Sequence, residues 1–427
     1  AIDTSTDAIW AVFGGYNITY NPYAYACCAP TEYAISKFTK ETWLTIPYES
    51  ISDAKALSRI IVNPRNQKEV FISSYYSGLL KIQDDQFSEL YNAKNTGQDG
   101  LQSIKGQVPD DVRINGSAYD NSGNLWVTNS KVAKALKVFN ANGTWKSYDL
   151  SSIGDKKGLL DLGRMTIDKN GTKWLTSIDD GIIGFNENYN NRIKNIRSGV
   201  DNGNLPINDA RVATIDNRNQ MWIGTRKGLR VLSSVDSFLN ENQLTTEPII
   251  IIEDGLPQEL LYEQFITDIA VDGNNNKWIG TADSGIFLVS PNGQETIYHF
   301  TTDNSPMPSN TVNDVDINGV TGEVFIATNK GLLSFKGTAT DANEDLNNVY
   351  VYPNPVRPGF SGTVKIRGLL DRANIQITDI QGNLVFETTA EGGTIEWDTT
   401  AFGKYKVASG VYMIFISADD GLETKTK

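Results

Sequence analysis

This chain has one histidine, His299, and only two cysteines, the adjacent pair Cys27 and Cys28. A single adjacent pair cannot staple a fold, so a disulfide framework is excluded. The pair leaves two readings, a vicinal disulfide or two packed thiols, and with no further ligand nearby it makes no metal site. One histidine also excludes a His-based metal cage. A Ser-His-Asp triad would have to use His299, which sits in the strand-like alternation Ile297-Tyr-His-Phe300, and no Gly-x-Ser-x-Gly nucleophile motif occurs. Positive charge is short as well: 38 Lys and Arg face 51 Asp and Glu, a net charge of −13. That balance argues against nucleic acid, whose phosphates need a basic surface, and against simple adsorption to anionic lipid. No apolar run reaches the ~18 residues of a membrane span. Carboxylates are plentiful, but nothing marks a catalytic pair. The expectation is a protein without catalysis, cofactor or metal.

What the chain does have is a recurring phrase. Asp168-Lys-Asn-Gly-Thr-Lys-Trp174, Asp216-Asn-Arg-Asn-Gln-Met-Trp222 and Asp272-Gly-Asn-Asn-Asn-Lys-Trp278 are its clearest copies, each followed by a Gly-hydrophobic step at Gly181, Gly228 and Gly285. Weaker copies place further anchors at Trp10, Phe71, Trp126 and Phe325. The period is about fifty residues, which means a repeat architecture. One unit reads as Arg211–Ile215, a polar Asx turn, Met221–Thr225, a glycine turn, Leu229–Leu232 and an outer strand. Four short strands per unit, repeated radially, make a propeller blade. The chain is therefore expected to be all-β, a seven-bladed β-propeller over 1–336. The Trp residues are assigned to packing between blades and the repeated Asp to turns. Asp272-Gly-Asn-Asn-Asn276 begins like a calcium loop but lacks the closing bidentate Glu. Ala1-Ile2-Asp3 reads as the remnant of a first inner strand, and blade seven is expected to lack an outer strand, with upstream residues filling both gaps.

The repeat stops after Phe335. A small, polar stretch, 337–348, reads as a linker. Residues 349–427 then offer about seven short strands, expected to form a small Ig-like β-sandwich.

Two resemblances follow from these residues. The blades resemble the two-component-regulator propeller family through Gly255-Leu-Pro257, Asp272 and Trp278-Ile-Gly-Thr281, and again through Asn204-Leu-Pro206 and Met221-Trp-Ile-Gly-Thr225. The tail is similar to the C-terminal sorting domain of the Bacteroidetes type IX secretion system through Tyr352-Pro-Asn-Pro355, Asp379-Ile-Gln-Gly382, Trp397-Asp398 and Ser409-Gly-Val-Tyr412. It departs at the end, where Glu423-Thr-Lys-Thr-Lys427 is expected to leave out the family's final strand. Together the modules resemble a family of surface components of the type IX attachment machinery. The resemblance implies export to the cell surface or outer membrane, binding of anionic lipopolysaccharide and its presentation to a sortase. It implies a non-enzymatic role, a retained tail and other attachment-complex subunits as partners. The alternatives are a secreted, glycan-binding cargo with a cleaved tail and the periplasmic sensor propeller of a hybrid two-component system.

A ligand is expected on the face that carries the long loops between blades, roughly 91–110, 148–160, 193–207 and 240–262, together with the turns between second and third strands. Those turns offer Tyr75, Tyr76, Lys131, Asp179, Asp180, Arg226, Lys227, Asp283 and Lys330; the tail offers Lys365, Arg367 and Arg372. Cations pair with phosphate and rings stack on sugars. The plain alternative is a set of solvated turn residues.

Overall fold

The computed structural model describes residues 1–3, 7–13, 35–39, 42–52, 54–104, 111–153, 159–253 and 255–427. Cys27 and Cys28 lie outside the described residues. Seven antiparallel sheets follow one another, and each anchor sits on the second strand of its own sheet: Ala8–Val12, Glu69–Ser74, Leu125–Ser130, Lys173–Ser177, Met221–Thr225, Lys277–Thr281 and Glu323–Thr328. The first strands of successive blades lie side by side and line the propeller axis.

The Asp-to-Trp spacing has a chemical cause. In blade 4, Asp168 Oδ1 accepts the backbone N–H groups of Asn170 and Thr172, while Oδ2 accepts Trp174 Nε1–H at 3.0 Å. Asp120 holds Trp126 at 2.9 Å and Asp216 holds Trp222 at 3.3 Å in the same way. The carboxylate shapes the turn and also satisfies the indole before it is buried. Trp174, Trp222 and Trp278 are almost wholly enclosed, and burying such a ring stabilises by about 2–3 kcal/mol. A buried lysine of the next blade caps the ring: Lys173 Nζ lies 3.9 Å from the Trp126 centroid and Lys277 Nζ lies 4.5 Å from that of Trp222. Burial pulls both lysines below the usual range, against Glu187 and Asp216, which pair with them.

Blades 1 to 4 and 6 have four strands and blade 7 has three. Blade 5 also has three, which corrects the expectation of four per unit. In its place Glu247 makes one antiparallel bridge to Val231. Pro248 follows and has no N–H to extend a ladder. The segment from 250 to 259, expected as loop, folds into the hairpin Ile250–Glu253 and Leu256–Glu259.

The tail strands form a three-stranded sheet and a four-stranded sheet around Ile366, Ile375, Ile377, Trp397 and Ile416. Thr424–Thr426 pairs with Phe415–Ser417 at the sheet edge. A final strand is therefore present, contrary to the sequence expectation, because alternating Thr and Lys suit a half-exposed edge.

Residues 337–348 are not a free tether. Leu346 and Thr340 are buried, Asp341 N–H donates to Gly319 O at 2.8 Å, and Gly393 N–H donates to Thr340 O at 2.8 Å. The tail thus docks on the Asx turns of blades 5 to 7. Arg367 donates to Thr321 O and Thr338 O, and Arg218 pairs with Glu391.

Candidate functional site

In blades 2 and 4 to 7 the loop face is built by a hydroxyl at the end of the second strand. Ser74 Oγ accepts Ser77 N–H at 2.9 Å, Ser177 Oγ accepts Asp180 N–H at 3.2 Å, and Thr225 and Thr328 accept the N–H groups of Lys227 and Lys330 at 3.1 Å. Such side-chain-to-backbone bonds fold the turn without a ladder and present the residues that follow.

Three of the expected site residues come together at the mouth of the axis. Tyr75 and Tyr76 meet edge to face at 5.2 Å. The Arg113 guanidinium lies 5.4 Å and 5.5 Å from their ring centres and is held bidentate by Asp111 at 3.1 Å and 3.0 Å. Lys131 pairs with Asp161 beside them. Asp161 is buried, its Oδ1 finds no hydrogen-bond partner among the described residues, and burial pushes its carboxyl up despite Lys131. A second such unit stands in blade 5, where Asp209 Oδ2 accepts from Arg211 at 2.9 Å and the Arg211 and Arg226 guanidiniums face the Phe265 ring. Arg113, Asp111, Asp161, Asp209 and Arg211 were missed from the sequence. For all but Asp161 the signal is Asp-x-Arg at the entry to an inner strand, Asp111-Val-Arg113 and Asp209-Ala-Arg211.

The remaining candidates fall in different places. Arg226, Lys227 and Lys330 are exposed on the loop face and form no ion pair among the described residues. Lys365 stands 3.9 Å from Glu396, and Arg367 is spent on the propeller carbonyls. Arg372 is exposed in a cleft of about 420 Å³ between tail and blade 5, lined also by Arg218, Asp371, Glu391 and Asp419. Lys365 and Arg367 thus share the strand Val364–Arg367, while Arg372 lies apart in the cleft. His299 lies flat on Phe287 at 3.9 Å, with Nε2 2.8 Å from Ser284 O, an ordinary strand residue.

Beneath the mouth the axis is filled by charge. A bulge recurs where inner and second strands pair in blades 2 to 7. Bulges re-aim side chains, and Arg59, Arg164, Asp268 and Asp314 stand at four of them. Arg59 pairs with Asp314, Arg164 with Asp268, and Arg164 reaches Asp314 at 3.3 Å. Burial raises Asp268 to about 6. Burial opposes ionisation of Asp314 too, but Arg59 and Arg164 hold it well below the usual carboxylate range.

The fold and tail together define a propeller protein that carries a sorting domain. Residues 350–427 match the secretion system C-terminal sorting domain family. This tail assigns the chain to exported proteins with surface or outer-membrane association. Among the described residues, no helix is long and apolar enough to cross a membrane. Curated protein sequences give no significant match. Among solved structures, the chain is similar to PorZ, an essential surface component of the type IX secretion system of Porphyromonas gingivalis. Identity is 23%, the TM-score is 0.70, and the match covers 98% of this chain and 57% of that one. It is also similar to the extracellular domain of BT4673 of B. thetaiotaomicron, described as a one component system, at 12% identity and TM-score 0.50, covering 93% and 55%. The chain thus spans little more than half the length of either.

Proposed function

We propose that this chain is a non-enzymatic surface subunit of the type IX attachment machinery, which holds anionic lipopolysaccharide and presents it to the sortase. The observation that carries the reading is a sorting-family tail packed against a propeller of the PorZ fold. Arg226, Lys227 and Lys330, which form no ion pair among the described residues, are the contacts for phosphate, since Lys131, Lys365 and Arg367 already have partners. A net charge of −13 repels an anion at long range. Salt confines that repulsion to about 8 Å, so local contacts decide. Reversing Arg226, Lys227 and Lys330 to Glu together is expected to abolish lipopolysaccharide retention by the purified protein. Retention unchanged in that variant and lost in Arg372→Glu would move the site to the tail cleft.

A second reading is favoured by the mouth itself. Asp111 reaches Tyr75 and Tyr76 through Arg113, and among the described residues the buried Asp161 Oδ1 is an unfilled acceptor. Such a site suits an uncharged sugar, stacked on a ring and donating a hydroxyl. It is the glycan-binding cargo alternative. Binding of a neutral polysaccharide, lost in Tyr76→Ala, without retention of lipopolysaccharide would establish it. Neither reading involves turnover, and screening against polysaccharides and esters is expected to detect none.

A further inference from the structure

The net charge of −13 opposes adsorption to anionic lipid, but it is not spread evenly. Residues 349–427 hold nine acidic and eight basic side chains, so nearly all of the excess lies in 1–348. The tail also has two different ends. Its strands Leu384–Thr389 and Thr394–Trp397 run between them. The turn that joins these strands, with Gly392 and Gly393, is the end docked on the propeller. The far end lies one strand length away, about 15 Å.

Strand register brings three segments together at that far end. Asp379 pairs with Tyr412, so Ile380 and Val411 extend side by side beyond the ladder. Trp397 pairs with Val364 and Tyr352 with Lys365, which places the loop 353–363 at the same end. Phe402 N–H donates to Val385 O at 2.9 Å and the Trp397 ring meets Tyr412 at 5.4 Å, which ties the two sheets there. The apolar side chains of this end stand in water: Ile380 is 67% exposed, Phe402 61%, Tyr405 75% and Val411 71%. Single exposed apolar residues need no account, but a cluster does. Across the segments 353–363, 379–383 and 398–411 the cations are Arg357, Lys404 and Lys406, all exposed, and the carboxylates are Asp379 and Asp398. Both carboxylates are folded into turns: Asp379 accepts the Gln381 and Asn383 amides, and Asp398 accepts that of Thr400.

We propose that this end of the tail rests on a bilayer surface that carries anionic phospholipid. Ile380, Phe402, Tyr405 and Val411 enter the boundary between headgroups and acyl chains, and Arg357, Lys404 and Lys406 meet the phosphates. Charge and shape select this occupant. Lys404-Tyr405-Lys406 puts an aromatic body between two cations, which suits an apolar layer beneath a charged one. The hairpin Thr400–Ala401 and Tyr405–Lys406 projects instead of forming a groove, and a deformable surface accepts a projection. The acidic propeller stands farther off than the Debye length of about 8 Å, so salt screens its repulsion. The docked end of the tail sits on the Asx turns, and in blade 5 the Asp216 turn and the Arg226 turn lie at opposite ends of one strand. A bilayer under the tip therefore leaves Arg226, Lys227 and Lys330 facing away from it. The proposal does not rest on lipopolysaccharide held at the loop face.

Flotation of the whole chain with vesicles of phosphatidylcholine containing one-third phosphatidylglycerol tests this. Binding is expected, and it is expected to fall by about tenfold or more on pure phosphatidylcholine. Phe402 has φ 50°, so Phe402→Asn keeps its left-handed turn. Combined with Tyr405→Ser it is expected to weaken binding to the mixed vesicles by a similar factor and to leave the melting midpoint unchanged. Lys404→Glu with Lys406→Glu is expected to do the same. Ile252→Ser removes an apolar side chain of blade 5 that is 70% exposed, and it leaves binding unchanged. Reversal of Arg226, Lys227 and Lys330 also leaves vesicle binding unchanged, whatever it does to lipopolysaccharide retention. No binding to the mixed vesicles overturns the proposal, as does binding that survives the Phe402 and Tyr405 changes or is lost equally in Ile252→Ser. Protection of Tyr405 from iodination by a second protein, and not by the vesicles, overturns it in favour of a protein surface.

Discussion

Single residues explain why the repeat is written as it is. Asp168 satisfies two turn amides and one buried indole, so its loss strands three donors. Asp168→Ala is expected to destabilise by about 2–3 kcal/mol, measured as a lowered denaturation midpoint, while Asp371→Ala, exposed on the tail, changes little. Lys137 is the opposite case. Among the described residues its ammonium is enclosed and without a hydrogen-bond partner, and burial lowers it to about 8, helped by Lys134. A lysine whose folded value is depressed favours unfolding below that value, and the penalty fades as pH rises toward its ordinary range. Lys137→Met is expected to stabilise the protein on the order of 1–2 kcal/mol at pH 7, with the gain vanishing near pH 10. A gain that does not depend on pH would show that packing, and not charge, is responsible.

At the scale of elements, the tail is joined to the propeller by backbone that approaches closely at glycines. A Cβ on Gly392 would stand 1.6 Å from Gly273 O, and one on Gly273 would stand 2.0 Å from Thr340 O. Both neighbours are backbone and cannot swing aside. Gly392→Ala is expected to undock the tail, seen as new protease cleavage within 337–348 with both folded units surviving. Gly410→Ala meets nothing closer than 4.0 Å and serves as the control. Cleavage no faster in Gly392→Ala than in Gly410→Ala would show that the glycine contact does not hold the tail.

For the whole molecule, the axis network couples stability to pH. Burial raises Asp268, Asp161, Asp272 and Asp316. A carboxyl raised in the folded state contributes stability at low pH and loses it as pH climbs through its folded value, about 6 for Asp268. Asp314 and Asp120 are depressed, so their contribution is present above the ordinary carboxylate range and is lost as pH falls through it. Thermal stability is expected to rise from about pH 7 to about pH 5 and to fall below about pH 4. Asp268→Asn should flatten the rise between pH 7 and pH 5. A melting profile with its maximum at pH 8 would contradict this account.

The sequence by itself determined the repeat, the blade count and the nature of the tail, because each is carried by local chemistry. An Asx turn, an indole six residues on and a glycine step are written within one unit and repeat with it. It also pointed to Tyr75, Tyr76 and Lys131, which do meet at one mouth. Only the tertiary structure decided the rest, since charge pairs and close approaches join residues that are far apart in the chain. Arg59 meets Asp314 and Arg164 meets Asp268 across the axis, and no local pattern records either pairing. Arg367 reads as a free cation until the carbonyls of Thr321 in the propeller and Thr338 in segment 337–348 are seen to occupy it. Segment 337–348 reads as a linker by composition, yet small residues are what a tight backbone contact requires. Leu79 of blade 2 is buried, and Leu332, the same letter at the same register in blade 7, is exposed. Burial depends on the neighbour across the seam, and the neighbour is set by how the ring closes.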